Sequence, residues 1–115
     1  MLFSDSMKKT SDFQNVYKNG KSYADRNIVV YVWKNDSSLN RIGISCSKKI
    51  GNSVVRHRFA RLVREAYRLH EDIFNSGLDI VVVARACARD ASFFDIESSL
   101  LSLAGKARIR KNGGE

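Results

Sequence analysis

The sequence predicts a single α+β domain, in which helices pack on a small mixed sheet of about four strands. The chain has 115 residues, which is the length of one domain. One long segment has an unbroken helical period, and several short segments alternate apolar and polar residues as strands do. Residues 80–83 are apolar throughout, which is typical of a central strand with a parallel partner. The predicted element order is helix, three strands, helix, strand, helix, within one domain spanning residues 1–115.

The first predicted helix covers residues 12–18. Ser11 and Gln14 have the spacing of a capping box, which predicts the start of the helix. Asn19-Gly20 follows, and this pair is expected to end the helix in the left-handed conformation.

Three predicted strands come next: a short one at residues 21–24, and two at 28–33 and 41–47, whose apolar residues recur at every second position. A turn cluster at residues 35–38 separates the last two. We therefore expect these two strands to form an antiparallel hairpin.

The second half of the chain predicts a long basic helix at about 53–70, a strand at 78–84 and a last helix at about 92–104, stopped by Gly105. A strand, a helix and a parallel strand form a β-α-β unit, whose crossover is normally right-handed. Residues 1–9 and 106–115 carry no clear pattern, so both ends are expected to be mobile.

The most informative feature of the chain is the basic stretch from Lys48 to Arg68. It contains seven Lys and Arg residues against one acidic residue, Glu65. On a helix, an apolar stripe that includes Phe59 and Val63 faces the core, and the basic side chains lie opposite it. Such a row of like charges indicates binding to a polyanion, with a merely solvated face as the alternative. The candidate binding residues are Lys48, Lys49, Asn52, Arg56, His57, Arg58, Arg61, Arg64 and Arg68.

The charge of the chain is unevenly distributed. The net charge is +8, and it is made up of +9 in residues 1–68, −4 in residues 69–105 and +3 in residues 106–115. This segregation indicates one-sided binding to a long, negatively charged molecule rather than general solubility.

A second candidate feature is aromatic. Phe13, Tyr17 and Tyr31 lie outside the regular apolar sets, and five cations surround the same region of the sequence. Core packing is the alternative for these rings, but aromatic rings beside cations suit single-stranded nucleic acid, whose bases stack on them. A strand precedes the basic helix where a helix-turn-helix reader of DNA would need another helix. The surrounding cations are Lys8, Lys9, Lys18, Lys21 and Arg26.

No arrangement of residues indicates catalysis or metal binding by the polypeptide itself. The chain has no paired carboxylates, no Ser/His/Asp set and no phosphate-binding glycine loop, and a general-base role for His57 would need an orienting partner that the sequence does not show. Cys46 and Cys87 lie in apolar contexts and lack metal-ligand spacing, so we expect two buried, reduced thiols in a cytoplasmic protein. No membrane span and no signal peptide are visible.

The basic stretch also carries a family resemblance. The segment starting at Ser47 reads S-K-K-I-G-N-S-V-V-R-H-R and continues R-L-V-R-E-A-Y-R from Arg61, and it resembles the signature of the protein subunit of bacterial ribonuclease P. The segments D-F-Q-N-V-Y-K-N-G, from Asp12, and residues 79–85 support the resemblance, which runs from about Lys8 to Ala104.

The resemblance implies an α-β-β-β-α-β-α fold with an unusual left-handed β-α-β crossover around the basic helix. It implies one protein monomer per catalytic RNA, in a ribonucleoprotein that removes the 5′ leader of precursor tRNA, with the RNA and its Mg²⁺ ions performing the chemistry. The protein itself is expected to bind no cofactor, no DNA and no membrane. By their matching positions, the basic residues named above are expected to contact RNA, and Phe13, Tyr17 and Tyr31 to line the cleft for the leader.

Two positions depart from the family pattern. His57 stands where the family usually has Asn, and Ala60 where it usually has Lys, so the contact at Ala60 should be weaker. Two other classes of protein remain as alternatives. One is a ribosomal or other structural RNA-binding protein of similar fold, and the second is a small DNA-binding regulator.

Overall fold

A computed structural model describes residues 4–110 of the chain. Residues 1–3 and 111–115 lie outside the described part. They belong to the two ends of the chain that were expected to be mobile. Within it, no helix is both long and apolar enough to cross a bilayer. The elements are β1 (Ser4–Ser6), α1 (Thr10–Asn19), β2 (Lys21–Ala24), β3 (Ile28–Lys34), β4 (Asn40–Ser45), α2 (Ser53–His70), β5 (Leu78–Ala84) and α3 (Phe93–Lys106), with short 3₁₀ turns at Glu71–Ile73 and Ala86–Asp90.

The strands form one mixed sheet in the order β1-β4-β5-β3-β2. The central strand is β5, which runs parallel to β4 and antiparallel to β3. The prediction of a central apolar strand with a parallel partner is thus confirmed. The predicted hairpin of β3 and β4 is wrong, because β5 lies between them. Residues 80–82 at the middle of β5 are completely buried, which suits the centre of the sheet, where both faces are covered.

The sheet has five strands rather than the predicted four, because the chain begins with β1. Ser4–Ser6 pairs in parallel with Asn40–Ile42 of β4, and the next residue, Met7, is buried. The backbone N–H of Met7 also donates to the carbonyl of Ile42 at 2.8 Å. This short polar strand has no alternating pattern of its own. It is held by pairing with the edge of β4 and by a hydrogen bond between the Ser4 and Tyr67 hydroxyl groups at 2.7 Å.

Helix α1 lies where the sequence predicted it, but its two ends differ from the prediction. The capping position is Lys9, which makes no side-chain hydrogen bond to the helix, so the predicted capping box is absent. Gly20 follows the helix with an extended backbone (φ −79°) rather than a left-handed one. A Cβ at Gly20 would lie 2.7 Å from the carbonyl oxygens of Val16 and Val32. The glycine therefore allows the end of α1 to approach the backbone of β3.

The sheet separates two unequal cores. On one face, α2 and α3 pack over the alternate residues Ile42, Ile80 and Val82, and this large core contains the fully buried Phe59. On the other face, α1 covers a small core around Val81. Since successive residues of a strand point to opposite faces, the apolar β5 contributes to both cores.

Helix α3 begins at a capping box that was not predicted. Ser92 Oγ accepts a hydrogen bond from the backbone N–H of Asp95, and the Asp95 carboxylate accepts one from the N–H of Ser92. Gly105 does not stop the helix, which continues to Lys106. The chain turns at Arg108, which has a positive φ of 59°, and Ile109 is buried against the main core. The chain thus remains packed against the fold beyond residue 106, where the sequence predicted a mobile end.

Candidate nucleic-acid interface

The basic helix α2 has the bounds that the sequence predicted, and its two faces are sharply different. Asn52 caps its first turn by accepting a hydrogen bond from the N–H of Val55 at 3.1 Å. Phe59, Val63 and Ala66 are buried against the sheet and α3. The side chains on the opposite side are exposed, and they form what we call the basic face: His57, Arg61, Arg64 and Arg68.

The charges of the basic face are not neutralised equally. Arg68 forms a salt bridge with Glu65, one helical turn earlier, and this pairing lowers the pKa of the Glu65 carboxyl. Within residues 4–110, Arg61 and Arg64 form no ion pair with an acidic side chain. Two guanidinium groups therefore remain free to bind a ligand. Their exposure supports the polyanion interpretation over that of a face balanced by its own acids.

Two arginines flank the basic face and are half-buried. Arg58 donates from a terminal guanidinium nitrogen to the carbonyl of Ala91 at 2.8 Å, which ties α2 to the loop before α3. Arg56 has a buried Nε that finds no hydrogen-bond partner within the described residues. Arg56, His57, Ala60 and Arg64 line a recess of about 250 Å³ beside the end of β4. An open groove of about 780 Å³ runs along the basic face itself.

The loop before α2 presents its two lysines to solvent. Lys48 and Lys49 are exposed, and Arg89 donates to the carbonyl of Ile50 at 3.0 Å, which holds the loop against the rest of the fold. Asn52 uses its side-chain oxygen as the helix cap, which leaves its amide N–H groups available to a ligand. The structure thus brings the loop lysines to the start of the basic face.

The three predicted aromatic residues form one cluster, on the opposite face of the sheet from α2. The ring centroids of Phe13 and Tyr17 lie 6.4 Å apart, and those of Tyr17 and Tyr31 lie 4.9 Å apart with the rings nearly perpendicular. Phe13 and Tyr31 are half-buried on the small core, whereas Tyr17 is 39% exposed. The rings therefore pack together and still present a surface to solvent. The predicted cations of this region are all exposed: Lys8, Lys9, Lys18, Lys21 and Arg26.

Two features of this second surface were not singled out in the sequence. Trp33 lies two residues after Tyr31 on the same side of β3 and is 37% exposed. Strand alternation predicts that it shares the face of Tyr31, although no binding role was assigned to it. The second feature is the ion pair of Arg41 with the buried carboxylate of Asp79, which depends on the parallel pairing of β4 and β5 and so could not have been read from spacing.

No group of three or more His, Cys, Asp or Glu side chains within residues 4–110 is arranged to hold a metal ion. The two cysteines are unpaired. Cys46 is half-buried, and burial raises the pKa of its thiol, whereas Cys87 is exposed, so the prediction of two buried thiols is wrong for Cys87. The charged and aromatic side chains described above are thus the chemically distinctive surfaces of the described structure.

Comparison with known proteins agrees with this geometry. The profile of the family described as "Ribonuclease P" matches residues 2–108. The chain is 58% identical over 106 residues to the ribonuclease P protein component of Lachnoclostridium phytofermentans, covering 92% of this chain and 91% of that protein. It is 46% identical over 104 residues to that of Clostridioides difficile, covering 90% and 91%.

Solved structures give the same result. The Staphylococcus aureus RNase P protein superimposes with a TM-score of 0.85 at 38% identity, covering 92% of this chain and 97% of that one. The RNase P protein of Thermotoga maritima superimposes with a TM-score of 0.79 at 30% identity, covering 86% and 94%. The chain therefore belongs to the ribonuclease P protein family, the protein component of an endoribonuclease of tRNA processing.

Proposed function

We propose that this chain binds the catalytic RNA of ribonuclease P through the basic face and holds the single-stranded 5′ leader of precursor tRNA on the aromatic cluster. In this proposal the RNA and its Mg²⁺ ions cleave the phosphodiester bond, and the protein binds as one monomer per RNA in the cytoplasm. The role of the protein is then to raise the affinity of the holoenzyme for its substrate.

The observation that carries the proposal is the separation of the two surfaces. Arg61 and Arg64 are exposed on one side of the sheet, and Tyr17 is exposed on the other. The single β-sheet lies between them, so the two surfaces can bind two different polyanions. This arrangement supports a protein that contacts a large RNA on one side and a substrate strand on the other.

The aromatic cluster supports an unpaired strand rather than a duplex. A base that stacks on an aromatic side chain contributes about 1–3 kcal/mol, and any base can do so because every base has a π-face. The exposed cations around the cluster, among them Lys18 and Lys21, would neutralise the phosphates of such a strand.

The proposal assigns different consequences to the two departures from the family pattern. His57 is exposed on the basic face and can still donate a hydrogen bond to RNA. Ala60 lines the recess beside Arg56 and Arg64 and brings no cation, so RNA binding there is weaker than with the usual lysine.

We also infer that the crossover from β4 through α2 to β5 is left-handed, and the hydrogen bonding of β5 supports this. The N–H of Arg85 donates to the carbonyl of Asn27, beside β3, so Val83 also directs its peptide groups to β3 and Val82 directs its own to β4. Consider a β-strand of L-residues that runs upwards from its N-terminus to its C-terminus. A residue whose side chain points towards the viewer then directs its own backbone N–H and C=O to the viewer's right. Val82 points towards α2, so a viewer on the α2 side sees β4 to the right of β5. The chain therefore passes from β4, through α2 in front of the sheet, to a parallel strand on its left, which is a left-handed crossover.

The first experiment is reconstitution with a bacterial ribonuclease P RNA at low Mg²⁺. We expect the chain to increase cleavage of the 5′ leader, and an Arg61→Ala, Arg64→Ala double variant to need a higher protein concentration for the same gain. Lys34→Ala, which removes an exposed cation outside α2, serves as the matched control. Binding without any gain in cleavage would instead favour a structural RNA-binding protein.

The second experiment tests the leader. Tyr17→Ala should weaken holoenzyme binding of precursor tRNA by about 1–3 kcal/mol and leave mature tRNA unaffected. The control is Tyr23→Ala, because Tyr23 packs against the main core on the other face of the sheet. Equal losses for precursor and mature tRNA would show that Tyr17 acts in folding rather than in leader binding.

A further inference from the structure

Helix α1 carries two of the three rings of the aromatic cluster but is only lightly attached to the fold. Val16 is its one buried residue within the described structure, and its N-terminal capping position makes no side-chain hydrogen bond. The small core between α1 and the sheet has three buried residues, one of which is Val16 itself, whereas the core formed by α2 and α3 is much larger. Polar contacts therefore contribute more to the position of α1 than they would under a large apolar face.

Arg41 on β4 connects α1 to the sheet by binding two carboxylates at once. Its Nη1 lies 3.2 Å from Oδ2 of Asp12, in the first turn of α1. Its Nε and Nη2 donate to the two oxygens of Asp79 on β5, at 2.9 and 2.6 Å. A planar guanidinium has donors for both partners, which a lysine ammonium at the same place would not supply in this geometry.

Asp79 holds the guanidinium in a fixed place. It is only 1% exposed and also accepts a hydrogen bond from the Asn35 amide at 2.8 Å. Burial raises the pKa of Asp79, but the hydrogen bonds from Arg41 and Asn35 outweigh that effect, and its pKa is lowered. The carboxylate therefore stays ionised, and Arg41 reaches from it towards Asp12.

Asp12 is adjacent to Phe13, and the ring of Phe13 rests on the backbone of β4. A Cβ at Gly43 would lie 2.7 Å from two carbon atoms of that ring. At the other end of α1, Gly20 allows the backbone to contact β3. The helix is thus attached at both ends, and Tyr17 lies between the two attachments, against Tyr31.

We propose that the Arg41–Asp12 ion pair is a positioning contact, which sets where α1 lies on the sheet and thereby sets the opening of the aromatic cluster for the leader. Neither residue needs to touch RNA. The inference rests on the proposed leader-binding role of the cluster.

The test is Asp12→Asn in the reconstituted holoenzyme, with equilibrium binding of precursor and mature tRNA as the readout. Removing a negative charge beside an RNA-binding surface should by charge alone strengthen binding. The positioning contact predicts the opposite, a loss of about two- to fivefold for precursor tRNA, which is the size expected of a partly exposed ion pair, with mature tRNA unchanged. Asp36→Asn is the matched control, since Asp36 is an exposed acid in the turn after β3.

Two further variants separate positioning from general stability. Asp12→Glu keeps the carboxylate and should recover most of the lost precursor affinity. Arg41→Lys keeps the charge but not the two-sided geometry, and should lower precursor affinity as Asp12→Asn does. Unchanged or stronger precursor binding by Asp12→Asn, or an equal loss for mature tRNA, would overturn the inference.

The same experiment includes Tyr17→Ala, so that two failures can be told apart. If Tyr17→Ala lowers precursor affinity and Asp12→Asn does not, only the positioning contact is refuted. If Tyr17→Ala does not discriminate precursor from mature tRNA, the leader assignment fails, and the positioning contact fails with it.

Discussion

Replacing Arg64 by alanine should change how strongly RNA binding depends on salt. Arg64 is exposed on the basic face and forms no ion pair with an acid among residues 4–110, so its whole charge is available to a phosphate. Each neutralised phosphate contributes about −0.7, for single strands, to −0.9, for duplexes, to the slope of log affinity against log salt concentration. Arg64→Ala should therefore make the slope shallower by about 0.7 to 0.9. When salt is raised from 50 to 200 mM, the factor by which RNA affinity falls should therefore be about threefold smaller for Arg64→Ala than for the unmodified protein.

Arg68 provides an internal comparison on the same face. Glu65 already neutralises it in the free protein, so a phosphate must compete with that salt bridge. We expect Arg68→Ala to change the slope less than Arg64→Ala does, and the control Lys34→Ala not to change it.

The assay is binding of fluorescently labelled catalytic RNA, measured by anisotropy at five or more salt concentrations. Circular dichroism of each variant checks that α2 remains folded. An unchanged slope for Arg64→Ala would refute the assignment of this side chain to phosphate binding, and an equal change for Arg64→Ala and Arg68→Ala would refute the argument from pairing.

Three further changes test other parts of the structure. Ala60→Lys adds a cation to the recess beside α2 and should steepen the salt slope by about 0.7 to 0.9, so an unchanged slope would show that no phosphate lies there. Because the pKa of Asp79 is lowered from its ordinary 3.8, the contribution of its pair with Arg41 to stability is present above that pH and lost as pH falls below it. Asp79→Asn should therefore weaken the acid dependence of urea unfolding below about pH 4, and an unaltered dependence would contradict this. Gly43→Ala places a methyl group against the Phe13 ring and should lower the free energy of urea unfolding by about 1–3 kcal/mol. An unchanged free energy of unfolding would mean that α1 can move away from β4 without cost.

Strong local patterns predicted several elements closely. The bounds of α2 agreed with the structure because a long helical period and an apolar stripe indicate the same helix. The strand β5 was also correctly placed at the centre of the sheet, since a short run that is apolar on both sides is typical of a strand covered on both faces.

Pairing between distant segments could not be predicted in the same way. The turn between β3 and β4 suggested a hairpin, but the alignment of β5 with both strands decides the order of the sheet. Likewise β1 is too short and polar to show a pattern, and it forms because β4 offers an unpaired edge. At the end of α1, Gly20 was interpreted from its usual helix-ending conformation, whereas contact with Val32 determines its role.

The amino-acid sequence by itself determined which residues are chemically suited to RNA, because charge, aromatic character and helical spacing are local properties of the chain. Only the tertiary structure decided that the basic face and the aromatic cluster lie on opposite sides of one sheet, and that Arg61 and Arg64 remain unpaired among the described acids. The physical reason is that these facts depend on which strands align and which side chains come within a few ångströms of one another. Those contacts join residues that are far apart in the chain, as Arg41 and Asp79 are, and no local pattern records them.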